Sequence, residues 1–344
     1  MPPSKKQRPP EKKAIPLRRI CRTPFSESRE CPLTEWLSAR FTYHDQDEWE
    51  HLIRSGRVLV DGKPGHCGTI LRKGAVVEYL PEEQQEPAVD FNWTILEQGN
   101  GWLAINKPPD LPCHPGGRYF RNTLWAELYA RFGKVHFIHR LDRETSGIVL
   151  VALNPETAGR LGKIIEAGRL RKEYLVLVEG EFPARLTARG WLCRDTASSV
   201  RKKLRFVELQ PDLEPEDDAT MCETYFERVD CCGGLSCLRA ILKTGRTHQI
   251  RATLQSLGYP LVGDKLYGFD PDCFLRFIRG ELSEEDQMRL GMKHQALHAW
   301  RLSWEGPDSD HLTAPLPASW FTFLRSRGCE GLADSLDRKM RSAR

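Results

Sequence analysis

One acidic residue has a setting that suits nucleophilic or acid–base chemistry. Asp142 stands between Arg140 and Arg143, directly before the apolar run 148–153. An apolar run of that length, bounded by turn residues, is typical of a buried strand. A carboxylate at the mouth of a buried strand is costly unless it is paired or used. Flanking guanidinium groups would hold Asp142 ionised, which suits a nucleophile or a base, whereas the alternative is a structural Asp–Arg pair.

Two further side chains have types and positions that fit such a site. Tyr174 begins a strand of alternating residues and shares one face with Val176 and Val178. A tyrosine there is either a core residue with a satisfied hydroxyl or a site residue. Arg246 follows Gly245, which permits a sharp turn, so the arginine can project into a cleft and pair with a carboxylate. Its alternative is a structural or phosphate-contacting role.

The elements that must position these residues predict an α+β domain beginning near Phe91. Strand-like runs at 93–97 and 102–106 flank a Gly-Asn-Gly turn, and most later signals are also strands. We therefore expect a large, mainly antiparallel sheet. A helical insertion is predicted over 272–291, and an acidic surface loop over 211–218.

A second, smaller α/β domain is predicted upstream, over 31–82. Two helical patterns, at 33–41 and 49–53, precede strand-like runs at 57–63 and 71–79. The first of these strands enters an Asp-Gly turn, which is a common hairpin connection.

The remaining segments are basic or polar. Residues 1–30 predict a disordered basic arm, 83–90 a linker and 329–344 a basic tail, which leaves 91–328 for the larger domain. A basic arm either contacts phosphates through counterion release or only keeps the chain in solution.

Composition is that of an ordinary globular protein. The chain has 344 residues, 40% hydrophobic and 28% charged, with a net charge of +4. It lacks the ~20 consecutive apolar residues of a membrane span, and its basic N-terminus is not followed by the apolar core of a secretory signal. These features predict a cytoplasmic protein with free thiols. Cys231, Cys232 and Cys237 lack the paired spacing of a zinc site, so no metal is expected, although metal binding there stays open.

The motifs of the larger domain, taken together, resemble those of the RluA-type RNA pseudouridine synthases. The signature is His139-Arg140-Leu141-Asp142 followed by Thr145-Ser146-Gly147. The resemblance runs from about residue 100 to 304. Its other motifs stand in the family's order: Asn106-Lys107-Pro108, His114-Pro115, Thr123-Leu124, Lys172-Glu173-Tyr174, Gly245-Arg246-Thr247-His248-Gln249-Ile250-Arg251, Gly263-Asp264 and Gln295-Ala296-Leu297-His298-Ala299. The chain departs from the usual Ile-Arg-x-His at Ala252-Thr253.

The resemblance implies a pseudouridine synthase fold and a role for each of three residues. Asp142 would be the nucleophile or base that starts detachment of a uracil from its ribose. Tyr174 would stack on the base and remove its C5 proton, and Arg246 would pair with Asp142. No metal or other cofactor is implied.

The resemblance also implies RNA contacts around the site. Arg140 would fill the gap left when the target nucleotide is flipped out, as enzymes that act on bases require. Lys107 and His114 would help form the cleft and contact phosphates. Arg251, with its neighbours in the motif, would be a scaffold or RNA-contacting residue.

The small domain resembles the S4-type RNA-binding domain that often precedes this catalytic domain. The resemblance implies that a helix pair and the first strand present a basic face to RNA. The alternative is a plain α/β cap domain with solvated lysines. The candidate residues for RNA contact are Arg54, Arg57, Lys63, Arg72 and Lys73.

The expected function is isomerisation of uridine to pseudouridine in structured RNA, with ribosomal RNA favoured over transfer RNA. We expect a monomer with no membrane partner. The alternative is a non-catalytic RNA-binding or ribosome assembly factor, which joint retention of Asp142, Tyr174 and Arg246 argues against. A hydrolase using Asp142 with His139 is less favoured, because no serine or cysteine nucleophile has an evident orienting partner.

Overall fold

A computed structural model describes residues 20–41, 44–81, 85–211, 214–304 and 310–341. The chain forms two compact units, with the boundary between Pro87 and Ala88. Within the described residues, no helix combines the length and the apolar character needed to cross a bilayer.

The small unit contains two helices and short strands around a core rich in tryptophan. A capping box of Asp45 and Glu48 begins the second helix, which buries Trp49 against the first. The strands form a sheet in the order β1-β6-β3-β4 and a separate β2-β5 pair. The elements are β1 (Cys21–Pro24), β2 (Cys31–Pro32), α1 (Leu33–Arg40), α2 (Gln46–Arg54), β3 (Val58–Val60), β4 (Lys63–Pro64), β5 (Ile70–Leu71) and β6 (Val76–Tyr79).

Strand β1 lies inside the segment that the sequence predicts to be a disordered arm. It pairs antiparallel with β6, Cys21 opposite Tyr79, and Phe25 directly after it is buried in the core of the small unit. The backbone hydrogen bonds and the buried ring order this part of the chain, and their partners are remote in sequence. The prediction of disorder is therefore wrong for residues 21–25, and residues 1–19 lie outside the described residues.

The large unit is an α+β structure that combines long strands with helices. Its elements are β7 (Thr94–Gly99), β8 (Trp102–Lys107), α3 (Leu124–Phe132), β9 (His136–Phe137), β10 (Ser146–Ala152), α4 (Pro155–Glu166), β11 (Leu170–Glu179), β12 (Arg185–Arg194), β13 (Leu204–Glu208), β14 (Thr220–Cys232), β15 (Leu235–Leu242), α5 (Gln249–Ser256), α6 (Cys273–Arg279), α7 (Glu284–Leu290), β16 (Leu297–Trp304), β17 (Asp310–Thr313), α8 (Ala318–Ser326) and α9 (Glu330–Arg341). Helices α6 and α7 confirm the predicted helical insertion.

One large sheet organises this unit. Its strand order is β13-β12-β14-β15-β11-β16-β10-β8-β7, with β9 added to β10 and β17 to β16. Among the described strands, every pairing is antiparallel except that of β10 with β16. The predicted α+β class with a mainly antiparallel sheet is confirmed.

The parallel pair sits in the middle of the sheet and places two backbones in close contact. Ser146 lies opposite His298 and Gly147 opposite Ala299. Gly147 has a φ of +107°, and a Cβ atom added there would lie 2.2 Å from the Ala299 carbonyl oxygen. Only glycine meets both conditions without strain.

The alternating strands bury both faces of the sheet. Tyr174, Val176 and Val178 of β11 belong to one core, whereas Leu175 and Leu177 face a second core. This division follows from the two-residue period of a strand.

Helix α9 covers the second core. The prediction of a basic tail over 329–344 is therefore wrong for the residues of this helix. Leu332, Leu336 and Met340 recur every four residues, so they share one helix face and are buried in the second core. Arg338, Lys339 and Arg341 lie in the last turn of this amphipathic helix, and residues 342–344 lie outside the described residues.

Candidate active site

Asp142 lies in the turn that leads into the buried strand β10. The Thr145 amide donates to the Asp142 carbonyl at 3.2 Å and closes the turn. The Lys107 ammonium donates to the carbonyl oxygens of Pro108 (2.8 Å) and Arg143 (3.0 Å), which ties this turn to the end of β8. The sequence thus places Asp142 at the end of a rigid strand, on a turn that is fixed from two sides.

The Asp142 carboxylate faces a cavity of about 1020 Å³. The cavity lies within the large unit, and its walls come from the turns before β10 and α5 and from β11. Residues of the predicted site that line it are Asp142, Tyr174, Arg246, Arg140, His114 and Arg251. Its size is suitable for a nucleotide-sized ligand.

A buried arginine holds the carboxylate. The Arg251 Nη1 atom donates to Oδ2 of Asp142 at 2.7 Å. The Nε and Nη2 atoms of the same guanidinium donate to Asp264, at 2.7 and 2.9 Å. Asp264 is itself buried and accepts from the amides of Leu266 and Tyr267. One guanidinium therefore bridges two carboxylates, and its position is fixed by a fork-like pairing with the deeper one.

This arrangement sets the ionisation of Asp142. Burial alone would raise its pKa, but the Arg251 guanidinium outweighs burial and brings the pKa below its ordinary value. The pKa of Asp264 is lowered as well, because the charge and hydrogen bonds of Arg251 outweigh the effect of burial. Asp142 is consequently ionised at neutral pH while 30% of its side chain stays accessible.

The pairing predicted between Arg246 and Asp142 is wrong in this structure. The Arg246 Nε atom donates to the Met221 carbonyl at 3.3 Å, and the exposed side chain stands at the cavity rim. The reason is local. The side-chain carbonyl oxygen of the buried Gln249 accepts from the backbone amide of Arg246 at 3.0 Å, and this hydrogen bond fixes the loop before α5. Arg251, in the first turn of α5, is the arginine that turns inward.

The arginines next to Asp142 in sequence do not pair with it either. Arg143 turns away and contacts Tyr119, Asp110 and Glu144. The exposed Arg140 side chain lines the cavity and has no carboxylate partner in the part of the chain that the structure describes. In a turn, neighbouring side chains diverge, so the pairing inferred from adjacency does not form.

Tyr174 lies on the wall of the cavity beside Asp142. Its ring is 7% exposed and belongs to the core beneath the site. Burial, together with the negative charge of Asp142, raises the pKa of its hydroxyl far above the ordinary value. Across the described residues, the hydroxyl has no hydrogen-bond partner. Tyr174 thus presents a protonated phenol to the cavity.

The sequence predicts that Lys107 and His114 form the cleft and contact phosphates. Of these two residues, His114 lines the cavity and Lys107 does not. Lys107 is fully buried, is bound to two backbone carbonyls and does not line the cavity, so the prediction that it contacts RNA phosphates is wrong. Burial lowers its pKa to about 8. His114 lines the cavity and packs on Phe137 with ring centroids 4.2 Å apart, so it helps form the cleft as predicted.

Residues 101–256 match the family model described as RNA pseudouridylate synthase. An uncharacterized RNA pseudouridine synthase of Chloroflexus aurantiacus is 32% identical over 290 residues, which cover 80% of this chain and 83% of that protein. The chain belongs to the RluA-type RNA pseudouridine synthase family. The matched segment contains Asp142, Tyr174 and Arg251, whereas Asp264 lies beyond it.

Other members of the family carry more specific names. The mitochondrial tRNA pseudouridine(32) synthase of Saccharomyces cerevisiae is 29% identical over 248 residues, which cover 70% of this chain but only 51% of the yeast protein. The ribosomal large subunit pseudouridine synthase D of Xanthomonas campestris is 29% identical over 293 residues, covering 82% and 83% of the two chains. The chain thus spans about half the length of the yeast relative.

A solved structure from the same family shares the fold. Human RNA pseudouridylate synthase domain containing 1 is 26% identical and superposes with a TM-score of 0.52. The match covers 68% of this chain and 87% of the human one. The pseudouridine synthase fold predicted from the motifs is confirmed.

Two cavity-lining lysines of this RluA-type protein were not singled out as site residues from the sequence. Lys172 and Lys202 both face the cavity, and no carboxylate within the described ranges pairs with either. Burial lowers the pKa of both. The Lys-x-Tyr spacing carried the signal for Lys172, since residues two apart on β11 share the face of Tyr174. Lys202 comes from a loop before β13 that no motif marks.

Two further predictions concern other parts of this family member. Arg57 donates to the Leu80 carbonyl at 3.4 Å within the small unit, and its RNA contact stays a prediction. In the described part of the chain, no three His, Cys, Asp or Glu side chains come together in a way that could hold a metal ion.

Proposed function

We propose that this protein isomerises uridines within structured RNA to pseudouridine. The observation that carries the proposal is the Asp142 carboxylate, held ionised by Arg251 at 2.7 Å and facing a cavity that Tyr174 also lines. A charged, accessible carboxylate fixed by a buried cation is the form a nucleophile or base requires.

The reaction exchanges one glycosidic bond for another. The C1′–N1 bond of the uridine breaks, the uracil rotates, and C1′ bonds to C5. The C5 proton then leaves, and N1 regains a proton, so atoms balance without an added reactant. Asp142 starts the detachment, either by attack on the uracil ring or by action at the sugar. Arg251, rather than Arg246, takes the role of orienting it.

Tyr174 supplies the wall on which the base stacks and a hydroxyl for the final proton transfer. Its raised pKa keeps the phenol protonated while Asp142 is charged. When Asp142 becomes bonded to the substrate, its negative charge disappears, so the phenol can give its proton to N1 and its oxygen can then accept the C5 proton. The order of events is thus built into the electrostatic coupling between the two side chains.

The cations around the cavity support an RNA substrate. Arg140, Lys172, Lys202 and Arg246 all line it, and none is neutralised by a carboxylate among the described residues. Unpaired cations around a cleft attract phosphates. In this proposal Arg140 occupies the gap left by the flipped nucleotide, and the small unit acts as an S4-type RNA-binding domain through Arg57 and its basic neighbours.

Within this proposal the substrate is ribosomal RNA. The helix pair and first strand of the small unit suit a large structured RNA, and the Xanthomonas relative is named for the large ribosomal subunit. The yeast relative is named for transfer RNA and for mitochondria, so transfer RNA is the competing substrate. A cytoplasmic location and a monomeric state remain part of the same prediction.

The second candidate function is a non-catalytic RNA-binding or ribosome assembly factor. Pseudouridine mapping of total RNA separates the two, using cells without the gene that are complemented with wild type or Asp142→Asn. Loss of discrete sites, restored only by wild type, supports the enzyme and identifies its RNA. An unchanged map in cells that make the protein supports the assembly factor.

A further inference from the structure

His248 has a backbone conformation that needs an explanation. It precedes α5 and has a φ of +56°, in the left-handed region that residues other than glycine rarely adopt. Such strain persists only where surrounding contacts hold it, and it is concentrated at functional sites. The His248 carbonyl accepts from the Ala252 amide at 2.9 Å, and the imidazole ring makes further contacts on the side of the cavity.

The imidazole is bound at Nδ1 by a buried tyrosine. The Tyr267 hydroxyl lies 2.9 Å from His248 Nδ1 and also accepts from the Leu204 amide at 3.0 Å. Tyr267 is fully buried, and within the described residues its hydroxyl proton has no other acceptor. A buried hydroxyl donor without a partner is costly, so the Tyr267 hydroxyl donates to Nδ1.

This hydrogen bond fixes the tautomer of the histidine. Because Nδ1 accepts, the single imidazole proton resides on Nε2. That atom faces Oδ1 of Asp142 at 3.9 Å, the oxygen that Arg251 leaves unbound. The distance exceeds that of a hydrogen bond, and a movement of about 1 Å would create one. Arg251 therefore binds Oδ2 of Asp142, whereas His248 faces Oδ1.

We propose that His248 is a positioning residue whose Nε2–H orients Oδ1, the reacting oxygen of Asp142, and that Tyr267 maintains the required tautomer. The inference deepens the proposed function and rests on it. The chain of contacts runs from the Leu204 amide through Tyr267 and His248 to Asp142. These contacts restrict the orientations that Oδ1 can adopt as the carboxylate turns toward the substrate.

A neutral imidazole suits this task better than a charged one. A second cation on Asp142 would stabilise the carboxylate further and make it a weaker nucleophile. Burial and the nearby Arg251 guanidinium lower the pKa of His248 to about 4, so the ring is uncharged at neutral pH. The ring donates a hydrogen-bond dipole to the site without adding a charge.

A matched pair of substitutions tests the inference. His248→Gln retains an N–H at about the position of Nε2, whereas His248→Met has similar length without a donor. Both carry the same backbone strain. Each purified variant is compared with wild type for kcat and KM on an RNA that contains the mapped uridine. Thermal unfolding and RNA affinity are measured on the same preparations.

The expected result is a loss in kcat of about tenfold or more for His248→Met, with KM within about threefold, and recovery of most of that loss in His248→Gln. Equal activity in all three proteins would overturn the inference. An equal loss in both variants would also overturn it, because it would indicate a structural role independent of the donor.

Tyr267→Phe keeps the inference testable if His248→Met does not fold. It removes the group that fixes the tautomer while leaving the ring in place, and kcat should fall at least threefold with RNA affinity unchanged. Wild-type kcat in Tyr267→Phe would contradict the proposed relay. The proposed function has a separate test: it is wrong if the wild-type protein forms no pseudouridine in any RNA.

Discussion

Arg251 and Asp142 are 109 residues apart in the chain, yet they form an ion pair of 2.7 Å between Nη1 and Oδ2. The same guanidinium is held by Asp264, so it cannot swing away from the cavity. The link between these two residues joins the first turn of α5 to the turn before β10. It keeps the Asp142 carboxylate charged at neutral pH, although burial alone would raise its pKa.

Arg251→Gln should reduce pseudouridine formation by roughly 100-fold or more, because it removes the charge that orients and ionises Asp142. Arg246→Gln is the matched control from the same sequence motif, and its main effect should be weaker RNA binding. Turnover of both variants at saturating RNA distinguishes the two roles. If Arg246→Gln proved the more damaging for turnover, the pairing in this structure would not be the productive one.

Arg251→Gln should also change the pH dependence of kcat. The active form of Asp142 is ionised, so activity is present above its pKa and lost as pH falls through it. Arg251 lowers that pKa. Removing the guanidinium therefore moves the acid limb of the profile to higher pH, which a kcat profile for Arg251→Gln against wild type would reveal. An unmoved acid limb would mean that another group controls it.

Tyr174→Phe should separate stability from catalysis. The hydroxyl has no hydrogen-bond partner among the described residues, so its loss should change the free energy of unfolding by no more than about 1 kcal/mol. Turnover should fall by roughly 100-fold, because the proton acceptor for C5 is gone. Denaturant unfolding and single-turnover assays on one preparation test both parts. Near-normal turnover in the variant would exclude the hydroxyl from the chemistry.

Lys172→Met should weaken RNA binding and reduce its salt dependence. Neutralising one phosphate contact lowers the slope of log affinity against log salt by about 1. Binding titrations at several salt concentrations, with Asp142→Asn to prevent turnover, would measure that slope. An unchanged slope would show that Lys172 contacts no phosphate.

Lys107→Met is expected to act on the fold instead. Lys107 donates to two backbone carbonyls from a fully buried position; in the variant the Pro108 carbonyl loses its partner, while the Arg143 carbonyl keeps only the Leu111 amide at 3.2 Å. The cost is about 1–3 kcal/mol for each buried group left without its partner. Urea unfolding would detect the loss, and the salt slope of RNA binding should equal that of wild type. A changed slope would restore the RNA-contacting role predicted from the sequence.

His298 should make stability depend on pH. It is fully buried, hydrogen-bonded to Ser146, and burial lowers its pKa to about 4 from an ordinary 6.5. Between these values the unfolded chain binds more protons than the folded one. Stability is therefore lost as pH falls from 6.5 toward 4, by on the order of 3 kcal/mol. His298→Gln should reduce the slope of the unfolding free energy against pH in this range. An equally steep slope in the variant would show that other groups cause the effect.

The sequence predicted the parts of this structure that depend on local pattern. The apolar run at 148–153 became β10, since a run of that kind has few alternatives once it is flanked by turns. Tyr174 was placed on the site face by alternation along β11. Helix α9 was not predicted, although the four-residue spacing of Leu332, Leu336 and Met340 indicates one, because basic residues at the end of the helix resemble those of a solvated tail.

The partner of Asp142 could not be obtained from local pattern. Arg246 and Arg251 belong to one short motif, and either can reach a carboxylate. The choice between them is made by Gln249, which fixes the loop, and by Asp264, which lies in a different segment. Side-chain direction at a helix start depends on such remote partners. The predicted residues Asp142 and Tyr174 line one cavity with Arg251, but the pairing predicted for Arg246 does not form.

The parallel contact between β10 and β16 has a consequence for synthesis of the protein. The turn that carries Asp142 is supported at Ser146 and Gly147 by His298 and Ala299, which are made about 150 residues later. A nascent chain that lacks β16 has the signature motif, but Ser146 and Gly147 have no partner strand on this edge of β10. The cleft can therefore be completed only after β16 has been synthesised, so a fragment that ends before β16 should remain inactive towards RNA.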